Sequence, residues 1–156
     1  MMISKVENSD LKEILELQYR AYRSEAEIYN DYTIQPLVQT MDELEFEHEN
    51  LVILKATENN KIIGSVRVSE ENDVYKIGKL IVDPSVQNQG VGTKLMQYVE
   101  QYFNHVQRFE LFTGHRSERN LYLYKKLGYR PFKQEEITKD LILISMYKDI
   151  HEAEIS

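Results

Sequence analysis

Residues 79–96 read Lys-Leu-Ile-Val-Asp-Pro-Ser-Val-Gln-Asn-Gln-Gly-Val-Gly-Thr-Lys-Leu-Met, and this stretch decides the predicted fold. Its first part is apolar and stops at Asp83-Pro84, which indicates the end of a strand, because proline cannot donate a hydrogen bond to a neighbouring strand. Its last part begins an amphipathic helix near Gly90, with apolar residues recurring at helical spacing as far as Phe103. We therefore expect a strand, a turn and a helix in this order.

The turn itself, Gln-Asn-Gln-Gly-Val-Gly at positions 87–92, has the features of an anion-binding loop. The first turn of a helix presents unpaired N–H groups and a partial positive charge, and glycines let the backbone approach a phosphate closely. An ordinary turn before a helix fits the same residues. Two other phosphate motifs do not fit, because Leu95 replaces the third glycine of a dinucleotide fingerprint and Gly92-Thr93-Lys94 departs from a Walker loop.

The remaining periodicity predicts a mixed α/β chain with the element order β-α-α-β-β-β-α-β-α-β-β. Strands are expected at residues 3–6, 51–56, 61–69, 74–82, 108–113, 135–138 and 141–148, the last two as a hairpin. Helices are expected from a cap at Asn8, Ser9 or Asp10, from Pro36 to about Glu47, from about Gly90, and from Arg119 to Leu127. Residues 24–35 are polar and rich in tyrosine, which indicates irregular structure between the first two helices.

The composition fits one domain, residues 1–150, followed by a short tail, residues 151–156. The chain has 42% apolar and 29% charged residues, a balance typical of folded proteins. It has no cysteine, which excludes disulfides, thiolate metal sites and a cysteine acyl-enzyme. The formal net charge of −7, without a run of Lys or Arg, argues against nucleic acid or an anionic membrane as a partner. No apolar run is long enough to span a bilayer and the N-terminus lacks signal-peptide features, so we expect a cytoplasmic protein.

Two stretches resemble motifs of the GNAT acetyltransferases. Residues 79–96 are similar to the family's central motif, a hydrophobic strand, Val-x-Pro and then Gln/Arg-x-x-Gly-x-Gly/Ala. Residues 120–132, Asn-Leu-Tyr-Leu-Tyr-Lys-Lys-Leu-Gly-Tyr-Arg-Pro-Phe, are similar to its later motif, Asn-x-x-x-Tyr followed by Leu-Gly-Phe/Tyr. The two motifs have the order and separation that are usual in the family. The resemblance implies the GNAT acyl-CoA N-acyltransferase fold, a mixed, mostly antiparallel sheet of roughly six to seven strands with about four helices. It also implies acetyl-CoA as co-substrate and no metal.

The same resemblance implies which residues would contact the coenzyme. They are Leu80, Ile81, Val82, Gln87, Asn88, Gln89, Gly90, Val91, Gly92, Thr93, Asn120 and Tyr124. Strand residues would pair with the pantetheine arm through their backbone, and the loop amides would bind the pyrophosphate. Asn88 stands where many relatives have glycine, and asparagine tolerates a left-handed conformation. Gln89 stands where relatives often have a cation. Lys94, Lys125 and Lys126 are candidate cations for the phosphates, although ordinary helix-surface lysines fit as well.

Acetyl transfer to an amine needs a neutral amine, a polarised thioester carbonyl and a proton for the departing thiolate. Asn120 and Tyr124 share one helix face, and the resemblance places that face along the pantetheine arm, which implies Tyr124 as the general acid. A phenol is still protonated at neutral pH and can donate its proton. Packing against Leu121 and Leu127 would also explain Tyr124. Asn120 would bond the pantetheine arm, cap the local backbone, or do both.

The sequence does not identify the residue that acts as the general base. Many relatives place a glutamate in the strand before the loop, but residues 75–79 are Tyr-Lys-Ile-Gly-Lys. Glu25, Glu27 and Asp31 lie in a segment that often lines the acceptor site in this family, and His115 follows a predicted strand end. A water molecule is a further route for the proton.

The resemblance thus implies direct attack by a primary amine, on a small molecule or a peptide, in a ternary complex with acetyl-CoA. The lack of cysteine agrees with direct attack, since no cysteine-bound acyl group can form. A non-catalytic sensor that binds coenzyme A or an acyl-CoA is the alternative function, and a structural domain without a ligand is the third. A homodimer is compatible with the sequence.

Overall fold

The structure, a computed structural model, describes residues 1–105 and 107–150, in which seven strands form one sheet. The strands are β1 (Met2–Lys5), β2 (Val52–Glu58), β3 (Lys61–Glu71), β4 (Val74–Val82), β5 (Arg108–Gly114), β6 (Arg130–Thr138) and β7 (Leu141–Asp149). The helices are α1 (Leu11–Tyr29), α2 (Gln35–Val38), α3 (Met41–Asn50), α4 (Val91–Tyr102) and α5 (Glu118–Lys126), with 3-10 turns at Asn8–Asp10 and Pro84–Val86. The predicted tail, residues 151–156, lies outside the described residues.

The sheet is mixed but mostly antiparallel, in the strand order β1-β2-β3-β4-β5-β7-β6. Neighbouring strands run antiparallel except β4 and β5, which are parallel. A parallel pair needs a crossover connection, and α4 supplies it. This architecture confirms the fold class predicted from the sequence.

Two apolar cores cover the two faces of the sheet. Successive residues of a strand point to opposite faces, so that Ile53 and Ile62 belong to the core beneath α1 and α3. Their neighbours Leu54 and Ile63 belong to the core beneath α4 and α5. Helices therefore pack on both faces of the sheet, and this packing positions the loops that connect them to the strand ends.

Strand β4 leaves its parallel neighbour early. The two strands pair only between residues 74–76 and 108–110, although β4 continues to Val82 and β5 to Gly114. The register of β4 against β3 is also irregular, and Lys79 adopts a left-handed φ of 46° there. The sheet therefore has a gap between the C-terminal halves of β4 and β5.

Helix α1 is longer than the sequence predicts. Residues 24–29 continue the helix instead of forming irregular structure, because the buried side chains of Ala26 and Tyr29 extend its apolar face. The helix ends at Asn30, whose left-handed φ of 49° is one that asparagine tolerates. The segment was predicted as irregular because it is polar and rich in tyrosine, although its buried residues Ala26 and Tyr29 continue the helical spacing of the apolar face.

The helix expected from Pro36 to about Glu47 is two helices in the structure. The chain is extended at Gln39, and Thr40 then starts α3 by a capping box with Glu43. Strand β6 begins at Arg130, earlier than the predicted residue 135. All of β6 is exposed and its sequence lacks an apolar alternation, so periodicity gave no signal for its first half.

No helix among the described residues is long and apolar enough to cross a membrane. Residues 1–105 and 107–150 also contain no group of three or more His, Asp or Glu side chains that could hold a metal ion.

Gly64→Ala should weaken the packing of α4 on the sheet. A Cβ atom at position 64 would lie 3.0 Å from Val91 Cγ1 and from Leu95 Cδ1, and 3.1 Å from the carbonyl oxygen of Ile81. Because a close-packed core resists added volume, we expect the free energy of unfolding to fall by about 1–3 kcal/mol, measured by urea denaturation. Gly78→Ala is the control, since no atom lies within 4 Å of its Cβ position. Equal effects of the two changes would contradict the packing explanation.

Candidate functional site

A groove of about 580 Å³ lies where the end of β4, the loop at residues 87–92 and the start of α4 meet α1 and α5. Its lining includes Leu80, Ile81, Val82, Gln87, Asn88, Gly90, Val91, Gly92, Thr93 and Asn120. The residues predicted to contact the coenzyme therefore line this groove, with two exceptions. Gln89 is not part of its lining, and Tyr124 borders a second cavity instead.

The loop turns sharply before α4, and the residues of the first helical turn line the groove. Asn88 and Gly90 have left-handed φ angles of 65° and 82°, a conformation that the sequence had suggested for Asn88. Lys94 N–H donates the first helical hydrogen bond, to Gly90 O at 3.0 Å, so the amides of residues 91–93 precede the helical ladder. Such amides carry partial positive charge and suit a phosphate.

Asp83 ties the loop to the strand end and to α1. It is 4% exposed, and its Oδ1 accepts hydrogen bonds from Ser85 N at 3.0 Å and Ser85 Oγ at 2.8 Å. Its Oδ2 accepts from Arg20 Nη2 of α1 at 3.2 Å. Burial alone would raise the pKa of Asp83, but these hydrogen bonds and the charge of Arg20 hold it below its ordinary value. The carboxylate is therefore ionised at neutral pH and fixes where the loop begins.

Cationic side chains also line the groove, namely Arg116, Arg119 and Lys126. Arg119 donates a hydrogen bond to the side-chain oxygen of Gln87 in the loop. Of the lysines that the sequence suggested for the phosphates, Lys126 borders the groove, whereas Lys94 and Lys125 do not line it. The two arginines were not predicted from the sequence, although they flank the start of α5 directly before the Asn-x-x-x-Tyr motif.

A second cavity of about 710 Å³ occupies the gap between β4 and β5. Residues 76–80 of β4 and 112–114 of β5 form two of its walls, and α1, β3, α5 and β7 contribute to the others. Residues that line both the groove and this cavity are Tyr22, Glu25, Leu80, Ser117 and Asn120. We call these residues the junction, because the two spaces meet there.

Glu25 is held in the junction by a chain of hydrogen bonds. Ser117 Oγ donates to Glu25 Oε2 at 2.6 Å, and the Tyr29 hydroxyl lies 2.7 Å from Ser117 Oγ. The backbone N–H of Arg116 donates to the Tyr29 hydroxyl at 3.0 Å. Because the hydroxyl of Ser117 donates its hydrogen bond to Glu25, the hydroxyl of Tyr29 must donate to Ser117. All the hydrogen bonds in this series therefore donate in the direction of the carboxylate. Asn120 Nδ2 makes a longer contact of 3.4 Å with Glu25 Oε1.

Tyr29 reaches this position because residue 114 is a glycine. A Cβ atom at Gly114 would overlap the phenol of Tyr29, with the ring carbon Cζ only 2.6 Å away. Strand β5 and the last turn of α1 therefore approach each other closely. Together they place Glu25, which the sequence had put in an irregular segment.

Tyr124 is 6% exposed and belongs to the core beneath α4 and α5, where its ring meets Tyr129 edge-on with centroids 6.1 Å apart. It also borders the second cavity, as does Asn120 one helical turn earlier. Burial raises the pKa of Tyr124 above its ordinary value, and the neighbouring Tyr22 and Glu25 raise it further. The phenol therefore keeps its proton at neutral pH and borders the cavity in that form.

The other base candidates from the sequence are less well placed than Glu25. His115 Nδ1 accepts a hydrogen bond from Ile142 N at 3.0 Å, and His115 lines neither the groove nor the cavity. Glu27 is exposed and also lines neither. Asp31 borders the second cavity, but it accepts hydrogen bonds from Thr33 Oγ1 at 2.6 Å and Thr33 N at 2.8 Å, which lower its pKa.

The chain matches the acetyltransferase (GNAT) family over residues 10–129, most of its length, and it belongs to this family. A curated relative, UPF0157 protein YqkA of Bacillus subtilis (strain 168), is 25% identical over 132 residues. The match covers 85% of this chain but 38% of YqkA, so the chain spans well under half the length of that relative.

Solved structures share the fold. The ribosomal-protein-S18-alanine N-acetyltransferase from Escherichia coli superposes with a TM-score of 0.79 at 20% identity, covering 96% of this chain and 93% of that one. An aminoglycoside 6'-N-acetyltransferase complexed with coenzyme A superposes with a TM-score of 0.78 at 17% identity, covering 96% and 97%. At these identities the likeness establishes the fold. Membership of the acetyltransferase (GNAT) family is the finding that bears on the chemistry of the chain.

Asp83→Asn should loosen the loop and lower stability. The amide removes the charge that pairs with Arg20, so we expect the free energy of unfolding to fall by about 1–3 kcal/mol at neutral pH. The pKa of Asp83 is lowered on folding from its reference value of 3.8, so its contribution is complete above that value and is lost as the pH falls through the folded pKa. Urea unfolding of both proteins at about pH 7 and about pH 3 measures the difference. The difference should narrow at the lower pH, and an undiminished difference there would contradict the role given to the ionised carboxylate.

Proposed function

We propose that the chain transfers the acetyl group of acetyl-CoA to a primary amine on a small molecule or a peptide, by direct attack in a ternary complex. The observation that carries this proposal is the junction, where a groove with phosphate-binding features meets a separate cavity. Two substrates that enter the two spaces would meet at these residues. The composition agrees with direct attack, since the chain has no cysteine to carry an acyl group.

In this proposal the groove holds the coenzyme. The amides of residues 91–93 bind the pyrophosphate, with Arg116, Arg119 and Lys126 as nearby cations. The pantetheine arm lies along residues 80–82, because the edge of β4 that faces β5 is unpaired there and can bond the arm as it would bond a strand. The thioester then reaches the junction. The solved aminoglycoside acetyltransferase that contains coenzyme A supports this choice of ligand.

Glu25 and Tyr124 divide the proton transfers. The amine nitrogen attacks the thioester carbonyl carbon, the C–N bond forms and the C–S bond breaks. Glu25 takes a proton from the amine, directly or through water, and Tyr124 gives its proton to the departing thiolate. The products are the acetylated amine and the free thiol of coenzyme A, and the proton gained by Glu25 balances the one lost by Tyr124. The position of Glu25 in the junction and the protonated phenol of Tyr124 support these roles.

Purified protein, acetyl-CoA and a panel of primary amines test the function. Amine-dependent release of free thiol supports acetyl transfer. Binding of acetyl-CoA without thiol release across the panel would favour the alternative, a sensor of coenzyme A or acyl-CoA. No binding of acetyl-CoA would contradict both.

Tyr124→Phe should lower turnover by roughly 10²- to 10⁴-fold, because the ring keeps its packing while the proton donor is lost. The affinity for acetyl-CoA should stay within about twofold of the wild type, since the groove is lined by other residues. Thiol-release kinetics measure the first quantity and calorimetry the second. Tyr102→Phe is the control, because Tyr102 lies on α4 and is 42% exposed. Unchanged turnover in Tyr124→Phe, with chemistry rate-limiting, would remove Tyr124 from the acid role.

Glu25→Gln should lower turnover at neutral pH by roughly 10²- to 10⁴-fold, because glutamine accepts the hydrogen bond of Ser117 but cannot accept a proton. The residual rate of the variant should rise with pH as more of the amine loses its proton in solution. Glu27→Gln is a matched control on the same helix, since Glu27 is exposed and borders neither space. Equal rates for the two variants across the pH range would exclude Glu25 as the base.

A further inference from the structure

The part of the second cavity that does not border the groove has two cations on one carboxylate. Arg67 Nη1 donates to Glu47 Oε2 at 2.6 Å, and Lys79 Nζ donates to Glu47 Oε1 at 3.1 Å. Gln39 Oε1 accepts from both cations, at 3.1 Å and 3.2 Å, and Gln18 accepts from Arg67. The two amides are neutral, so the cluster has one positive charge in excess.

This excess charge is shielded from water. Arg67 is 4% exposed, and the side chain of Lys79 is 16% exposed. Burial lowers the pKa of both groups, and repulsion from Arg67 lowers that of Lys79 further. Glu47 opposes both shifts, and Glu43 also opposes that of Lys79, but the net direction is downward for each group. A buried cation without its own counter-ion is unfavourable. An anion in the cavity would therefore be stabilised beside these two side chains.

The other charged groups among the described residues of this cavity do not supply that anion. They are Glu25, Asp31 and Lys76. Lys76 and Arg108 share Glu110, but the side chain of Lys76 is 45% exposed, so water screens its charge. Asp31 accepts its hydrogen bonds from Thr33. Glu25 is engaged at the junction. The cavity is therefore polarised, with a carboxylate where the thioester would lie and excess positive charge at the wall formed by β3 and β4.

The two charged ends belong to the same cavity. Lys79 adopts its left-handed φ of 46° at the irregularity of β4, a conformation that lysine rarely takes. Tyr22, Glu25, Arg67 and Lys79 all line this one cavity, and Tyr22 also borders the groove. A molecule bound in the cavity can therefore contact Glu25 with one end and Lys79 or Arg67 with the other.

We propose, on the basis that the chain acetylates an amine as described above, that the acceptor is a small molecule with both a primary amine and a carboxylate. The amine meets Glu25 at the junction, and the carboxylate binds Lys79 and Arg67. The cavity volume of about 710 Å³ is in the range of small-molecule sites. A peptide that begins with aspartate presents the same two groups, and the experiment includes both sources.

The experiment compares acids with their amides: glycine with glycinamide, β-alanine with β-alaninamide, and γ-aminobutyrate with γ-aminobutyramide. The C-terminally amidated dipeptides Asp-Ala-NH₂ and Asn-Ala-NH₂ represent the peptide source, because amidation removes the C-terminal carboxylate from both. The quantity measured is the acid-to-amide ratio of kcat/KM in the wild type, divided by the same ratio in Lys79→Met. This double comparison cancels the different basicities of the paired amines. For the pair of suitable length we expect a value of about tenfold to hundredfold, as for loss of a hydrogen bond to a charged group.

Three further variants separate anion binding from a merely structural role. Lys79→Arg keeps the charge and should keep the preference for the acid. Lys76→Met changes a lysine of the same strand whose partner is Glu110, and it should leave the preference unchanged. Glu47→Gln removes the carboxylate that competes for the cations and should strengthen the preference. A structural role predicts no such opposite effects of Glu47→Gln and Lys79→Met. Urea unfolding and acetyl-CoA affinity of each variant establish that it is folded.

The outcomes distinguish this proposal from the proposed function. If neutral amines are acetylated and the double comparison stays near one for every pair, the anionic acceptor is wrong while acetyl transfer stands. If acetyl-CoA binds and no amine is acetylated, acetyl transfer fails, and calorimetric titration of the acids and amides into the coenzyme A complex decides the anion site. Acid-selective binding that Lys79→Met abolishes supports it. Equal binding of acids and amides, or none, overturns it.

Discussion

The parallel strands β4 and β5 share hydrogen bonds over residues 74–76 and 108–110 and then separate. Backbone N–H and C=O groups beside such a gap need partners, because an unpaired polar group that is shielded from water is unfavourable. The separation therefore leaves a strand edge inside the molecule that water or a ligand must satisfy. Both spaces of the site depend on it, since the groove follows the end of β4 and the second cavity lies between the two strands.

Helix α1 holds both sides of this gap in place. Arg20 reaches Asp83 at the beginning of the loop, and Glu25 and Tyr29 lie further along the same helix, beside β5 and the start of α5. The apolar face of α1 packs on the sheet together with α3. The distance between the loop and the junction is therefore set by the length of one rigid helix.

Local signals were sufficient to predict the architecture, whereas the chemistry of the site depends on distant contacts. The strand before the loop and helix α4 follow from periodicity within a short stretch. The left-handed turn at Asn88 was expected from the resemblance, because asparagine stands where many relatives have glycine. Glu25 could not be chosen among the acids of its segment, because the choice depends on a helix face that meets Ser117, a partner 92 positions away. The cluster of Glu47, Arg67 and Lys79 likewise could not be predicted from the sequence, since its members come from one helix and two strands that are distant along the chain.

The glycine at position 114 lets the end of strand β5 approach helix α1 closely. Any side chain there would occupy the space of the Tyr29 ring, which is the donor to Ser117. A larger residue at position 114 would therefore separate Tyr29 from Ser117, and Glu25 would lose the serine that Tyr29 orients toward it. The missing side chain of one strand residue thus decides how a carboxylate on a helix remote in sequence is held.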